Sequence, residues 1–134
     1  MPFSISLTNE GALVTTRYYG VLNADDLLQS YRQRYTDAEQ IKKYRLLIAD
    51  YSEVSRVDTD GLDVTVLAQM VVSASKINPK VSLVSIMPDD LQFGLGRMWQ
   101  GYTLDSNWKI GIVRTKAEAD HWLEEHRVMS EPKD

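Results

Sequence analysis

Apolar and polar positions alternate along the first part of the chain. Ile5 and Leu7 are flanked by polar residues, Asn9-Glu10-Gly11 offers turn chemistry, and Ala12 to Leu22 is rich in β-branched and aromatic side chains. This pattern predicts a hairpin over Ser4 to Leu22. The period then lengthens. Asn23 is a good N-cap, Asp25 and Asp26 suit the positive first turn, and Leu27 or Leu28, Tyr31 and Tyr35 recur at helical spacing on a face expected to meet a sheet. Arg32, Arg34, Lys42 and Lys43 read as a solvated face. Tyr18, Tyr19, Tyr31, Tyr35 and Tyr44 read as amphipathic residues at the edge of a core.

Arg45 to Asp50 is a short apolar run, as expected for a strand buried on both faces of a parallel sheet. A second helix is expected from about Asp58-Thr59 to Lys76. Leu62, Val66 and Met70 form one stripe, Leu67, Val71 and Ala74 its neighbour, and Asn78-Pro79 the stop. Val81 to Met87 predicts the next strand. A third helix follows with Pro88 in its first turn and Leu91, Leu95, Met98 and Tyr102 on one face. Trp108 to Val113 predicts the last strand. Thr115-Lys116-Ala117-Glu118 is a capping-box pattern for a closing helix that should bury Trp122 and Leu123. The order ββαβαβαβα gives an α/β class with a mostly parallel sheet, an N-terminal hairpin, four helices and right-handed crossovers.

The length of 134 residues suits one domain, expected over 1–127 with a frayed tail over 128–134. Apolar residues at 43% and charged residues at 25% match an ordinary globular chain. Cysteine is absent, which excludes disulfides, thiolate catalysis and sulfur-ligated zinc. No leader pattern and no uncharged apolar run of about 20 residues is present, so a cytoplasmic protein without membrane insertion is expected. The net charge of −4 gives no reason to expect nucleic acid.

One constellation is specific. Asp50 ends the buried apolar run, and Asp58-Thr59-Asp60-Gly61-Leu62 precedes a helical pattern. This arrangement resembles the signature of STAS domains, the SpoIIAA-like family of bacterial anti-sigma-factor antagonists. There, a strand-end Asp is followed by a loop and by Asp-Ser-Ser-Gly-Leu or Asp-Ser-Thr-Gly-Leu opening a helix. Ala119-Asp120-His121-Trp122-Leu123 is similar to the closing helix of the broader SpoIIAA-like group. The resemblance implies the SpoIIAA-like (STAS) fold and a non-enzymatic regulatory role. It also implies a protein partner, such as a kinase-type anti-sigma factor or a larger regulatory assembly.

In that family the phosphoacceptor is the hydroxyl residue before the glycine. Here that position is Asp60, which has no hydroxyl, and Thr59 is the remaining candidate phosphosite. Asp60 can be read as a fixed negative charge imitating the phosphate, or as a first-turn acid complementing a helix dipole with Asp58 or Thr59 as N-cap. The expected partner surface is Asp58, Thr59, Asp60 and Gly61, with Ser52, Ser55 and Arg56 at the rim of the loop after Asp50.

The remaining candidates are weaker. Met98, Trp99, Tyr102 and Trp108 could line an apolar pocket for a small molecule or lipid-like ligand, against the plainer reading of core packing. His121 and His126 stand five apart, which swings them to different helix faces and argues against a metal pair. Gly94-Leu95-Gly96 lacks the third glycine of a dinucleotide fingerprint and lies inside a helical pattern. Asp25-Asp26 and Asp89-Asp90 fall in first helical turns, where the dipole already accounts for them. No catalytic set emerges and no cofactor is expected. Self-association through a sheet edge or an aromatic patch is left open.

Overall fold

The structure, a computed structural model, describes residues 2–126. The tail expected over 128–134 lies outside the described residues. The hairpin forms as β1 (Phe3–Thr8) and β2 (Leu13–Leu22), antiparallel, with Phe3 opposite Tyr18 and Thr8 opposite Leu13. Asn9, Glu10 and Gly11 all adopt positive φ in the connection. Helix α1 (Ala24–Tyr35) starts where expected. The Asn23 side chain accepts from the Asp26 N–H at 2.8 Å, and the Asp26 carboxylate accepts from the Asn23 N–H at 3.1 Å. This reciprocal box satisfies two otherwise orphaned donors. A short helix, α2 (Ala38–Ile41), was not expected and brings the α-helices among the described residues to five, against four from the sequence; Asp37 caps it.

Strand β3 (Leu46–Val57) carries the main correction to the expected fold. It does not end at Asp50 but runs seven residues further, as the registers show. Its pairing with β4 (Ser82–Ile86) stops at Asp50 opposite Ile86, because β4 is short. Beyond that point β3 pairs with β2 alone, through two register shifts. The buried positions Tyr51 and Val57 and the half-buried Val54 therefore recur every third residue, which hides the strand from a period-of-two reading. Ser52, Ser55 and Arg56, expected at the rim of a loop, lie on this strand with exposed side chains.

The chain continues through α3 (Val64–Ile77), β4, α4 (Asp90–Gly101), β5 (Lys109–Val113) and α5 (Lys116–Glu125). The sheet order is β1-β2-β3-β4-β5, parallel from β2 onward. Each crossover advances by one neighbour, so crossovers of one hand put α1 to α4 on a single face. That face holds the larger core, with Leu27, Tyr31, Ile41, Leu67, Val71 and Trp99 against the strands. Helix α5 follows the last strand and covers the other face, where Ala119, Trp122 and Leu123 pack on Val84 and Ile86. Trp122 and Leu123 are half-buried. Asn78 stops α3 and also ties the layer together. Its amide donates to the carbonyls of Ile41 (2.8 Å) and Tyr44 (2.9 Å), and its own carbonyl accepts from the Trp108 indole at 2.7 Å.

Helix α4 is turned by one residue from the expected orientation. Asp89, not Pro88, opens it, accepting from the Gln92 N–H. Leu91 (54%), Met98 (47%) and Tyr102 (51%) are exposed, whereas Gln92, Gly96 and Trp99 are buried. Gly96 explains the rotation. It seats the helix backbone against Met87 and Ile112, and a hydrophobicity pattern gives no weight to a glycine contact.

Gly111 plays the same part under α5. A Cβ there would stand 2.5 Å from two atoms of the Trp122 indole. Gly111→Ala is therefore expected to destabilise the fold by about 1–3 kcal/mol through overpacking, read by urea or thermal unfolding.

Candidate functional site

Two regions converge on the same end of the sheet. The first is the expected motif. Leu62 donates its N–H to the Thr59 carbonyl at 3.0 Å, closing a β-turn, and Asp58 Oδ1 accepts from the Asp60 N–H at 3.1 Å. Gly61 takes φ +72°, where a side chain would be strained. The Asp58 N–H is fixed to the Leu22 carbonyl at 2.7 Å, which anchors the turn to the end of β2. Thr59, Asp60 and Gly61 are exposed, and Asp58 is partly so.

The turn does not open the helix as expected. Asp63 is the N-cap of α3, accepting from the N–H and the hydroxyl of Thr65. The hydrogen bonds from Thr65 hold its carboxyl below the usual aspartate range. Asp58 and Thr59 are thus not the N-cap. Asp60 stands outside the first helical turn, beyond the reach of a dipole that fades within that turn. An acid three residues nearer the helix took the capping role. Beside the turn runs an open groove of about 340 Å³, lined by Ala24, Asp25 and Leu28 of α1 and by Gly61, Leu62, Asp63 and Val66.

The second region lies beneath α3, between α1 and α4, and is centred on Arg34. This residue, expected on a solvated face, is only 4% exposed. Its Nη1 donates to Thr16 Oγ1 (2.8 Å) and to the Tyr18 hydroxyl (2.9 Å). Tyr18 pairs with Ser30 Oγ at 2.7 Å, and Ser30 donates to the Leu27 carbonyl at 2.8 Å. The one proton of Ser30 is committed to Leu27, so Tyr18 donates to Ser30 and receives from Arg34. Every proton in this chain points away from the guanidinium. The rings of Tyr31 and Tyr35 lie 4.7 Å and 5.2 Å from its carbon. Hydroxyls and ring faces solvate the charge, but no carboxylate pairs with it among the salt bridges of the described residues.

A cavity of about 60 Å³ adjoins this arginine. Thr16, Leu47, Ala49, Tyr51, Leu83 and Ser85 supply sheet positions of its lining, Leu67 the underside of α3, and Gln92, Gly96 and Trp99 the wall from α4. Four buried polar atoms have no hydrogen-bond partner among the described residues: Arg34 Nε, Tyr35 OH, Gln92 Oε1 and Trp99 Nε1. All four residues line this one cavity. Burial pushes the phenols of Tyr31 and Tyr51 well up, and that of Tyr35 up to about 12, against the opposing pull of Arg34. These tyrosines are therefore neutral at ordinary pH and supply no countercharge.

The aromatic residues expected to form an apolar pocket do not meet. Trp99 lines the cavity, Trp108 is in the core with its ring centroid 5.8 Å from that of Tyr35, and Met98 and Tyr102 face outward. Sequence reasoning missed Arg34, Tyr35 and Gln92 as a set. The signal for Arg34 was present: it stands seven residues after Leu27 and three after Tyr31, on the same helical stripe. Among the described residues no cluster of three or more metal-ligating side chains occurs, and no helix is long and apolar enough to cross a membrane.

No family model matches the sequence, and no curated protein does. Solved structures do resemble the fold. The anti-sigma factor antagonist SpoIIAA in its unphosphorylated form is similar over 91% of this chain and 97% of that one, with a TM-score of 0.58 and 15% identity. The Bacillus cell fate determinant SpoIIAA in the phosphorylated form is similar over 90% and 98%, with a TM-score of 0.52 and 15% identity. The domain therefore has the SpoIIAA-like (STAS) fold.

Raised phenol pKa values make the fold sensitive to alkali. Below pH 10 both the folded and the unfolded chain hold these protons, so the full stability is present. Above pH 10.0, the ordinary value, the unfolded chain releases them first, and stability falls until Tyr35 itself ionises at about 12. Tyr35 alone should account for a loss of about 3 kcal/mol across that window. Tyrosinate absorbance is expected to lag for the buried phenols and then rise together with loss of the folded signal. Full ionisation near pH 10 with the fold intact would contradict their burial.

Proposed function

We propose that this chain is a non-enzymatic, STAS-type protein-interaction module formed by a single domain over 1–127. It offers the Thr59–Leu62 turn and the groove beside it to a regulatory partner. The observation that carries this reading is the combination of an exposed, rigid turn with an apolar groove rimmed by acids. Leu28, Leu62 and Val66 give the groove an apolar floor, and Asp25 and Asp63 border it next to Asp60. Gly61 leaves open space above the backbone, so a partner can approach the main chain closely. A surface of this kind suits a basic segment carrying one or two apolar side chains. Ser52, Ser55 and Arg56, all exposed on β3, extend it along the strand that leads into the turn.

The fold is shared with an anti-sigma factor antagonist, and an anti-sigma factor is accordingly the first partner class to test. In this reading Asp60 supplies a permanent negative charge where that family carries a phosphorylatable hydroxyl. It brings less charge and fewer acceptor oxygens than a phosphate, so the surface is set in one state.

Asp60→Arg is expected to weaken the complex with such a partner by at least about tenfold while changing unfolding stability by under about 0.5 kcal/mol, since the residue is exposed. Undiminished affinity, measured by titration calorimetry, would remove the turn from the interface. A second measurement addresses the charge. Intact-mass spectrometry of protein isolated from its native host is expected to show no phosphate, and a phosphate mapped to Thr59 would replace the fixed-charge reading with a switch.

A further inference from the structure

Buried polar groups in folded proteins are nearly always paired, and orphaned ones mark places where something else is accommodated. Here four such atoms come from four residues that line one cavity. Three are donors: the Nε–H of Arg34, the hydroxyl of Tyr35 and the indole N–H of Trp99. The fourth belongs to the Gln92 amide, which can present its N–H₂ end by rotating about its last bond. A buried guanidinium without an anion is costly, and neutral hydroxyls recover part of that cost only. Donors in excess around one uncompensated cation describe half of a binding site for an anion.

The geometry points to a binding site for a small monocarboxylate with a compact apolar body. Arg34 is the one ionised residue in the lining, so the site neutralises a single negative charge. A dianionic phosphate would bring a second charge with no second cation to meet it. The rest of the lining is mainly aliphatic and aromatic, which favours an apolar body over a sugar or a polyol. The volume of about 60 Å³ is well below the roughly 150 Å³ of a cavity that holds a benzene ring, and favours an acid with a body of one or two carbons. Arg34 on α1 would take the carboxylate, with Tyr35 beside it, and Trp99 and Gln92 would close the site from α4.

The cavity lies over the helix-covered face of β2, β3 and β4 and extends from mid-strand, at Leu47 and Leu83, toward the carboxyl ends of the parallel strands, where open α/β sheets hold ligands. Met87 follows the end of β4, and Tyr51 lies on β3 just past the last β3–β4 pair. Leu62, Val64, Met87 and Leu95 are only half-buried and form the accessible side of the lining. Leu62 also closes the exposed turn, so the cavity and the proposed partner surface share a wall. The ligand site stands on separate observations and does not depend on the interaction reading.

The test uses the whole chain with acetate and propionate as probes, and ethanol and propan-1-ol as their uncharged counterparts. Amide and indole nuclear magnetic resonance spectra follow each titration. The three tryptophans give three indole N–H signals, and Trp99→Phe identifies its own by deletion. At least one carboxylate is expected to bind with a Kd below about 1 mM, at least about tenfold tighter than its alcohol. It should shift the Trp99 indole signal and leave that of Trp122 in place. Arg34→Met, similar in volume, should abolish the preference for carboxylate over alcohol. Trp99→Phe should weaken carboxylate binding several-fold while keeping the ring. Should Arg34→Met fail to fold, the carboxylate-to-alcohol contrast and Trp99→Phe still decide the matter. Carboxylates binding no more tightly than alcohols, failing to bind at all, or shifting signals away from Trp99 and Arg34 would each overturn the assignment.

Discussion

The buried guanidinium of Arg34 organises the face of the sheet that carries four helices. It reaches from α1 to β2, where Thr16 and Tyr18 accept its hydrogen bonds, and it lies against the rings of Tyr31 and Tyr35 on its own helix. Tyr18 in turn stacks on Tyr51 of β3 at 4.3 Å and hands its proton to Ser30. One charge thus fixes the orientation of two strands and a helix through directional contacts, which apolar packing alone does not supply. Placing it there requires every neighbouring hydroxyl to be neutral and correctly turned. The raised pKa values of Tyr31, Tyr35 and Tyr51 are the same burial seen from the other side.

The position of the exposed turn follows from the uneven lengths of the strands. Because β4 is five residues long and β3 is twelve, β3 projects past its partner and carries the chain outward before α3 begins. The Thr59–Leu62 turn sits at the end of that projection, pinned to β2 through Asp58 and Leu22. The cavity beneath α3 lies over Leu83 and Ser85 of β4 and Leu47, Ala49 and Tyr51 of β3, and is bounded by α4 and the tyrosines of α1. The hydrogen-bonded exposed turn and the internal cavity meet at Leu62.

Much of the fold was legible in the sequence. The hairpin, the Asn23 cap, the parallel strands and the closing helix all rest on local chemistry: turn residues, caps and short apolar runs. The Asp58–Gly61 stretch was legible as an exposed segment after the strand, but it was read as the opening of a helix, whereas it forms a separate turn ahead of the Asp63 cap. The misplaced elements have a common cause. The extension of β3 depends on bulges against β2, the start of α3 on which of Asp58, Asp60 and Asp63 wins the cap, and the rotation of α4 on a glycine contact with Met87 and Ile112. Each is decided by a neighbour distant in sequence.

By itself, the order of apolar runs, caps and turn residues determined the class of fold, the succession of strands and helices along the chain and the presence of an acidic segment between the second parallel strand and its helix. Those features arise from interactions within a few residues, which the chain carries wherever it goes. Only the tertiary structure decided that Arg34 is enclosed and that Tyr35, Gln92 and Trp99 face the same cavity. It also decided that Met98 and Tyr102 face away from it. A charged side chain on a helix has two faces open to it, and its environment depends on what packs above. Here the hydroxyls of β2 and the rings of α1 gave the cation enough solvation to stay inside.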